Sequence, residues 1–80
     1  MASKVEEYIN QIRKADGLSN AILCGITISK RDNSAEFFLV TDKTYTAADE
    51  ERARTVSQNY LPDGFTARVK IVKRVPDGAA

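Results

Sequence analysis

Two strand-length apolar segments flank five polar residues, and this spacing constrains the chain more than any other feature. Residues 21–30 alternate, with Ile22, Cys24, Ile26 and Ile28 on one face and Leu23, Gly25, Thr27 and Ser29 on the other. Residues 35–41 alternate again, with Ala35, Phe37 and Leu39 opposed to Glu36, Phe38 and Val40. Between them lies Lys30-Arg31-Asp32-Asn33-Ser34, a polar run containing residues that tolerate turn conformations. So short a connection predicts an antiparallel hairpin. Its second strand carries apolar side chains on both faces, so the face turned to solvent is less polar than usual.

Helical patterns lie on either side. Val5, Tyr8, Ile9 and Ile12 stand at i, i+3, i+4 and i+7, which predicts a helix over residues 4–15. Ser3 and Glu6 match a capping box at its start, and Asp16-Gly17 would stop it, with Gly17 as a left-handed cap. Arg13 and Lys14 are expected in its last turn, where cations favour the dipole. Thr46 is placed to cap a second helix over 47–60, with Asp49, Glu50 and Glu51 in its first turn. That helix has a thin stripe of Ala53, Val56 and Tyr60, supported by an expected Glu50–Arg54 pair. Leu61-Pro62-Asp63-Gly64 forms a turn into a third strand over 65–75.

The order α-β-β-α-β predicts an α+β fold: a three-stranded sheet with two helices on one face. Ile22, Ile26, Ile28, Phe37, Leu39, Val69 and Ile71 are expected to face the helices. The direction of the third strand, and the edge it joins, are left open. Residues 1–75 read as a single domain. Pro76-Asp77-Gly78 makes 76–80 either a polar tail or the start of a linker to further sequence.

Composition excludes most chemistry. The chain has no histidine and one cysteine, so it lacks a disulfide framework, the usual zinc ligands and a cysteine–histidine pair. Cys24 is expected to be a buried, inert thiol. The glycines are isolated at 17, 25, 64 and 78, so no phosphate-binding loop is present. Asp49-Glu50-Glu51 complements a helix dipole, because consecutive helical residues diverge by about 100°. No catalytic, metal or cofactor-binding residue is therefore expected, and the chain reads as a non-enzyme. No apolar run reaches the roughly 18 residues of a membrane span, and the MASKVEEY start does not resemble a secretory signal. A cytoplasmic location is expected.

Near-neutral charge hides a split. Residues 66–80 carry Arg68, Lys70, Lys73 and Arg74 against Asp77, a local +3 (4 − 1), while residues 1–65 carry −2 (8 − 10). Arg68, Lys70 and Arg74 fall on alternate positions, on the sheet face away from the helices, where Leu23, Phe38 and Val40 are also expected. Two readings of that face follow. An apolar patch of Leu23, Phe38 and Val40 ringed by charge suits a protein partner. A basic face with an aromatic residue, using Arg68, Lys70, Lys73 and Arg74, suits single-stranded nucleic acid, although Lys and Arg are also ordinary guards of an edge strand.

The segment TDKTYTAADEERARTVSQNYLPDGFTARVKIVKRVPD resembles the small N-terminal domain of PolC-type DNA polymerase III alpha subunits of Gram-positive bacteria. The resemblance rests on a hairpin ending in a Thr-rich link, an acid-started helix, and a YLPDGF turn into an alternating strand. The element order over Lys4 to Val75 also resembles the pseudo-KH fold of domain I of the DnaA initiator and of the C-terminal domain of the replicative tau subunit. The resemblance implies a non-catalytic protein-interaction module in bacterial DNA replication, an N-terminal fragment of a DNA-directed DNA polymerase whose catalytic residues lie elsewhere.

Overall fold

The computed structural model describes residues 3–74. The chain runs through α1 (Lys4–Ile12), a 3-10 turn (Asp16–Leu18), β1 (Ile22–Ser29), β2 (Ser34–Thr41), α2 (Ala47–Gln58) and β3 (Thr66–Lys73). This is the expected α-β-β-α-β order of an α+β fold. β1 and β2 form the antiparallel hairpin, and β3 joins the other side of β2 in parallel, so the sheet order is β1-β2-β3. β2 is central, bonded to β1 along one edge and to β3 along the other. A parallel neighbour requires a crossover, and α2 supplies it.

Alternation along β2 sorts the sheet into two faces. Ala35, Phe37 and Leu39 are buried against the helices together with Ala67 of β3. From the helices, Tyr8 and Ile12 of α1 and Ala53 and Val56 of α2 complete this core. Val69 and Ile71 pack at its margin, on the face expected of them. Tyr8 lies at the junction, its ring centroid 5.1 Å from that of Phe37 and 5.5 Å edge-on from that of Tyr60.

Local chemistry sets the helix ends. Ser3 Oγ accepts the Glu6 N–H at 3.1 Å at the start of α1. In α2, Thr46 Oγ1 accepts from the Asp49 N–H while the Asp49 carboxylate accepts from the Thr46 N–H, a complete capping box. Gly64 has the positive φ (90°) its turn position anticipates.

Several expectations are corrected. α1 ends at Ile12 rather than Ala15, because Ala15 is extended and the chain tightens into the 3-10 turn that buries Leu18 completely. Arg13 consequently caps the helix instead of lying in its last turn, and its Nε donates to the Ala21 carbonyl at 3.0 Å. Gly17 is not a left-handed cap. A Cβ there would sit 2.6 Å from both Tyr45 Cα and Asp49 Oδ2, so glycine is required by close approach of the β2–α2 link. Arg54 pairs with Glu51 rather than Glu50, one turn back at i−3. α2 stops at Gln58 and β3 at Lys73; the expected strand residue Val75 and the tail 76–80 lie outside the described residues.

The largest correction concerns β1. Its register slips between Leu23 and Gly25, a bulge at Cys24. Alternation therefore changes phase partway along the strand. Ile22 pairs with Val40 on the face away from the helices, whereas Leu23 pairs with Leu39 on the helix face. Ile26 and Ile28 return to the helix face opposite Phe37 and Ala35, but the helices do not reach over them. Cys24, expected in the core, is exposed.

Candidate interaction surfaces

The face away from the helices is built from three rungs. Register places Ile22, Val40 and Val72 side by side, then Gly25, Phe38 and Lys70, then Thr27, Glu36 and Arg68. Ile22 is 51% exposed and Val72 41%, while Phe38 and Val40 are half-buried by their neighbours. The result is an apolar rung of three branched side chains, an aromatic ring beside a lysine, and a mixed rung of opposite charges.

This arrangement assembles most of the predicted surface and rejects one member. Phe38, Val40, Arg68 and Lys70 lie together as expected. Leu23 does not: the bulge turns it to the helix side, where it packs against the core. Its place is taken by Ile22, which sequence alternation had assigned to the core. Val72 also belongs to the surface, and its signal was present in the strand pattern, on the same parity as Arg68 and Lys70. Arg74 follows the end of β3, exposed, with its N–H bonded to the Thr41 carbonyl at 2.8 Å. Lys73 has the opposite parity, and its Nζ donates to Thr44 Oγ1 at 2.8 Å beside the β2–α2 link. The four cations of the C-terminal segment therefore do not form one patch. Glu36, on the same rung as Arg68, offsets part of the charge that remains.

A second uncovered surface lies on the helix side. Where α1 stops short of β1, an apolar groove of about 260 Å³ opens between Val5 and Tyr8 of α1, Ile26 and Ile28 of β1, and Leu61-Pro62 after α2. Val5 is 55% exposed, Ile26 44% and Ile28 60%. Val5 shares the apolar stripe of α1 with Tyr8, yet it lies at the groove rim while Tyr8 is buried.

The polar groups inside the fold serve structure. Ser57 Oγ donates to the Ala53 carbonyl at 2.8 Å, so its single proton is committed and the Tyr8 hydroxyl, 2.7 Å away, donates to it. Thr41 Oγ1 donates to the Gly17 carbonyl and accepts from the Lys43 N–H. Among the described residues no three Cys, Asp or Glu side chains converge on a common point, and no described helix is long and apolar enough to cross a membrane.

No family model matches the chain, and neither a curated protein nor a solved structure matches it.

Proposed function

We propose that this chain is a non-catalytic protein-interaction module that binds its partner through the open face of its sheet. The observation that carries this reading is the continuous apolar rung Ile22–Val40–Val72 with Phe38 next to it, flanked by Arg68, Lys70 and Glu36. An apolar centre with a charged rim is the composition of protein interfaces, where aromatic and aliphatic anchors supply affinity and the rim supplies orientation. The resemblance of residues 41–77 to the N-terminal domain of PolC-type polymerases supports a replication partner, and with it a cytoplasmic site of action. In that reading the module is part of a bacterial DNA polymerase III and contributes contact rather than chemistry.

A second reading, single-stranded nucleic-acid binding, draws on the adjacency of Phe38 and Lys70, which pairs a stacking ring with a cation. One pair of titrations decides between them. NMR spectra of the isotope-labelled chain are recorded with purified replisome subunits and, separately, with single-stranded DNA at low salt. The interaction reading expects shifts in Ile22, Phe38, Val40 and Val72 with a protein subunit, lost in the double variant Phe38→Ala, Val40→Ser while unfolding stays cooperative. Shifts with DNA alone, weakening steeply as salt rises, would establish the nucleic-acid reading instead.

A further inference from the structure

The two edges of the sheet are treated differently. β3, one edge, carries Arg68, Lys70 and Lys73, and its outer backbone is engaged in part, at Ala67 and Ile71. Gln58 Nε2 donates to the Phe65 carbonyl at 2.6 Å and its Oε1 accepts from the Ala67 N–H at 2.9 Å, while the Tyr45 hydroxyl donates to the Ile71 carbonyl at 3.1 Å. β1, the other edge, runs ILCGITIS without a charge or a proline. Charged residues, proline and covering side chains are the means by which proteins keep edge strands from pairing. Apart from its bulge, β1 has none of them.

Backbone parity shows what that edge offers. The Asn33 and Thr41 carbonyls accept from Thr66 and Arg74 of the β3 segment, so odd residues of β2 turn their backbone groups toward β3 and even ones toward β1. The β1 partners of Glu36 and Ser34 are Thr27 and Ser29, which therefore bond inward. The N–H and C=O of Ile26 and Ile28 point outward, on the straight half of the strand beyond the bulge. Their side chains lie on the helix face, over the uncovered groove.

From these relationships we propose that the chain forms a two-fold symmetric dimer by antiparallel pairing of β1 with β1 of a second copy, with Thr27 at the axis. This register makes Ile26 of one copy the hydrogen-bonded partner of Ile28 of the other, twice over, and avoids the bulge. The four isoleucines then meet on the helix face and close both grooves at once, with Val5 of each copy at the rim. On the helix side, Val5, Ile26 and Ile28 leave on the order of 300 Å² of apolar surface in water per copy; the paired backbone and the groove rim extend it toward the roughly 800 Å² per partner of a stable complex. A second copy fits better than a charged peptide because β1 meets itself without like charges opposed. Assembly stops at two, since the pairing is isologous and the remaining edges are both β3, guarded by cations, Gln58 and Tyr45. The dimer leaves both open sheet faces free, so it stands or falls independently of the interaction module.

Sedimentation velocity of the 80-residue chain under reducing conditions, over roughly 10 µM to 1 mM, tests the proposal. Wild type is expected to move to twice the chain mass as concentration rises. Ile28→Lys is expected to raise the dissociation constant at least tenfold with an unchanged monomer melting curve. As a second measurement that places no charge in the groove, Thr27→Cys in a Cys24→Ser background is expected to give a disulfide-linked dimer on mild oxidation. Single-chain mass throughout the range overturns the proposal. So does a dimer that is insensitive to Ile28→Lys and uncrosslinked through position 27, which would put the interface elsewhere.

Discussion

The Tyr8 hydroxyl donates to Ser57 Oγ at 2.7 Å, joining α1 to α2 across 49 positions of sequence inside the core. Ser57 is fully buried and Tyr8 nearly so. Removing the Ser57 hydroxyl strands the Tyr8 O–H, and an unpaired buried hydroxyl costs more than the bond is worth. Ser57→Ala is expected to lower unfolding free energy by about 1–2 kcal/mol, the helix propensity of alanine offsetting part of the loss. Tyr8→Phe removes both the donor and the need for an acceptor, so its cost should be smaller, about 1 kcal/mol. Urea denaturation of both variants and the double variant measures the coupling. Strictly additive single costs would show that the bond contributes nothing.

The same tyrosine predicts a pH dependence. Burial pushes the Tyr8 phenol above its ordinary value of 10.0; the Ser57 hydroxyl offsets part of this because it could turn its proton toward a phenolate. A group whose pKa is raised in the folded state contributes stability that is fully present below the unfolded pKa and lost as pH rises through the folded one. The stability contributed by the neutral phenol should thus be constant below about pH 10 and fall above it. Lysines also titrate there, so the informative quantity is wild type minus Tyr8→Phe, measured by thermal denaturation. A difference that stays flat into strong alkali would contradict the burial argument.

Gly17→Ala should be among the most damaging single-methyl additions. The new Cβ would meet Tyr45 Cα at 2.6 Å and the Thr44 carbonyl at 2.7 Å, both main-chain atoms that cannot rotate away. A loss of about 2–3 kcal/mol is expected, visible as a lower urea midpoint. A neutral result would mean that the β2–α2 link yields easily.

Gln58 acts as a short length of strand, accepting from and donating to the β3 edge with one amide. Gln58→Ala leaves the Ala67 N–H without that partner next to a buried side chain, and is expected to cost about 2 kcal/mol. Gln58→Glu keeps the acceptor but sets a carboxylate oxygen against the Phe65 carbonyl, so it is expected to cost at least as much. Amide hydrogen exchange at Ala67 reports the bond directly, and unchanged protection in Gln58→Ala would refute its importance.

Gly25 sits mid-strand with nothing within 4 Å of where a Cβ would stand. A threonine there would regain strand propensity and reduce the freedom of the unfolded chain. Gly25→Thr should therefore stabilise by about 0.5–1 kcal/mol. Because Gly25 neighbours Phe38 on the open face, the stabilised variant should also bind a protein partner less well. Destabilisation would instead indicate that the bulge depends on glycine.

Much of the fold was legible because it is encoded by near neighbours. Ser3 and Thr46 announce helix starts, Gly64 a turn, and the spacing of the two alternating segments a hairpin. The candidate surface was legible where alternation is unbroken: Phe38 and Val40 on β2, Arg68 and Lys70 on β3. It failed on β1, where one extra residue at Cys24 exchanges Ile22 and Leu23 between faces. Gly25, otherwise unexplained in mid-strand, is the one hint of a bulge in ILCGITIS, but where the register slips is chosen by the pairing of two strands. Ser57 was missed for a related reason: a serine reads as a surface residue of a helix until the Tyr8 hydroxyl is brought to it from the far end of the chain.

By itself the sequence determined the elements, their caps and turns, the α+β class, and the absence of histidine or clustered cysteine chemistry, because each follows from residues within a turn or two of one another. Only the tertiary structure decided that β3 lies parallel beside β2, that Gly17 is a point of backbone contact, and that one sheet edge is guarded while the other is bare. Those properties depend on which distant segments meet, and the free energy that selects among such meetings is shared across the whole core.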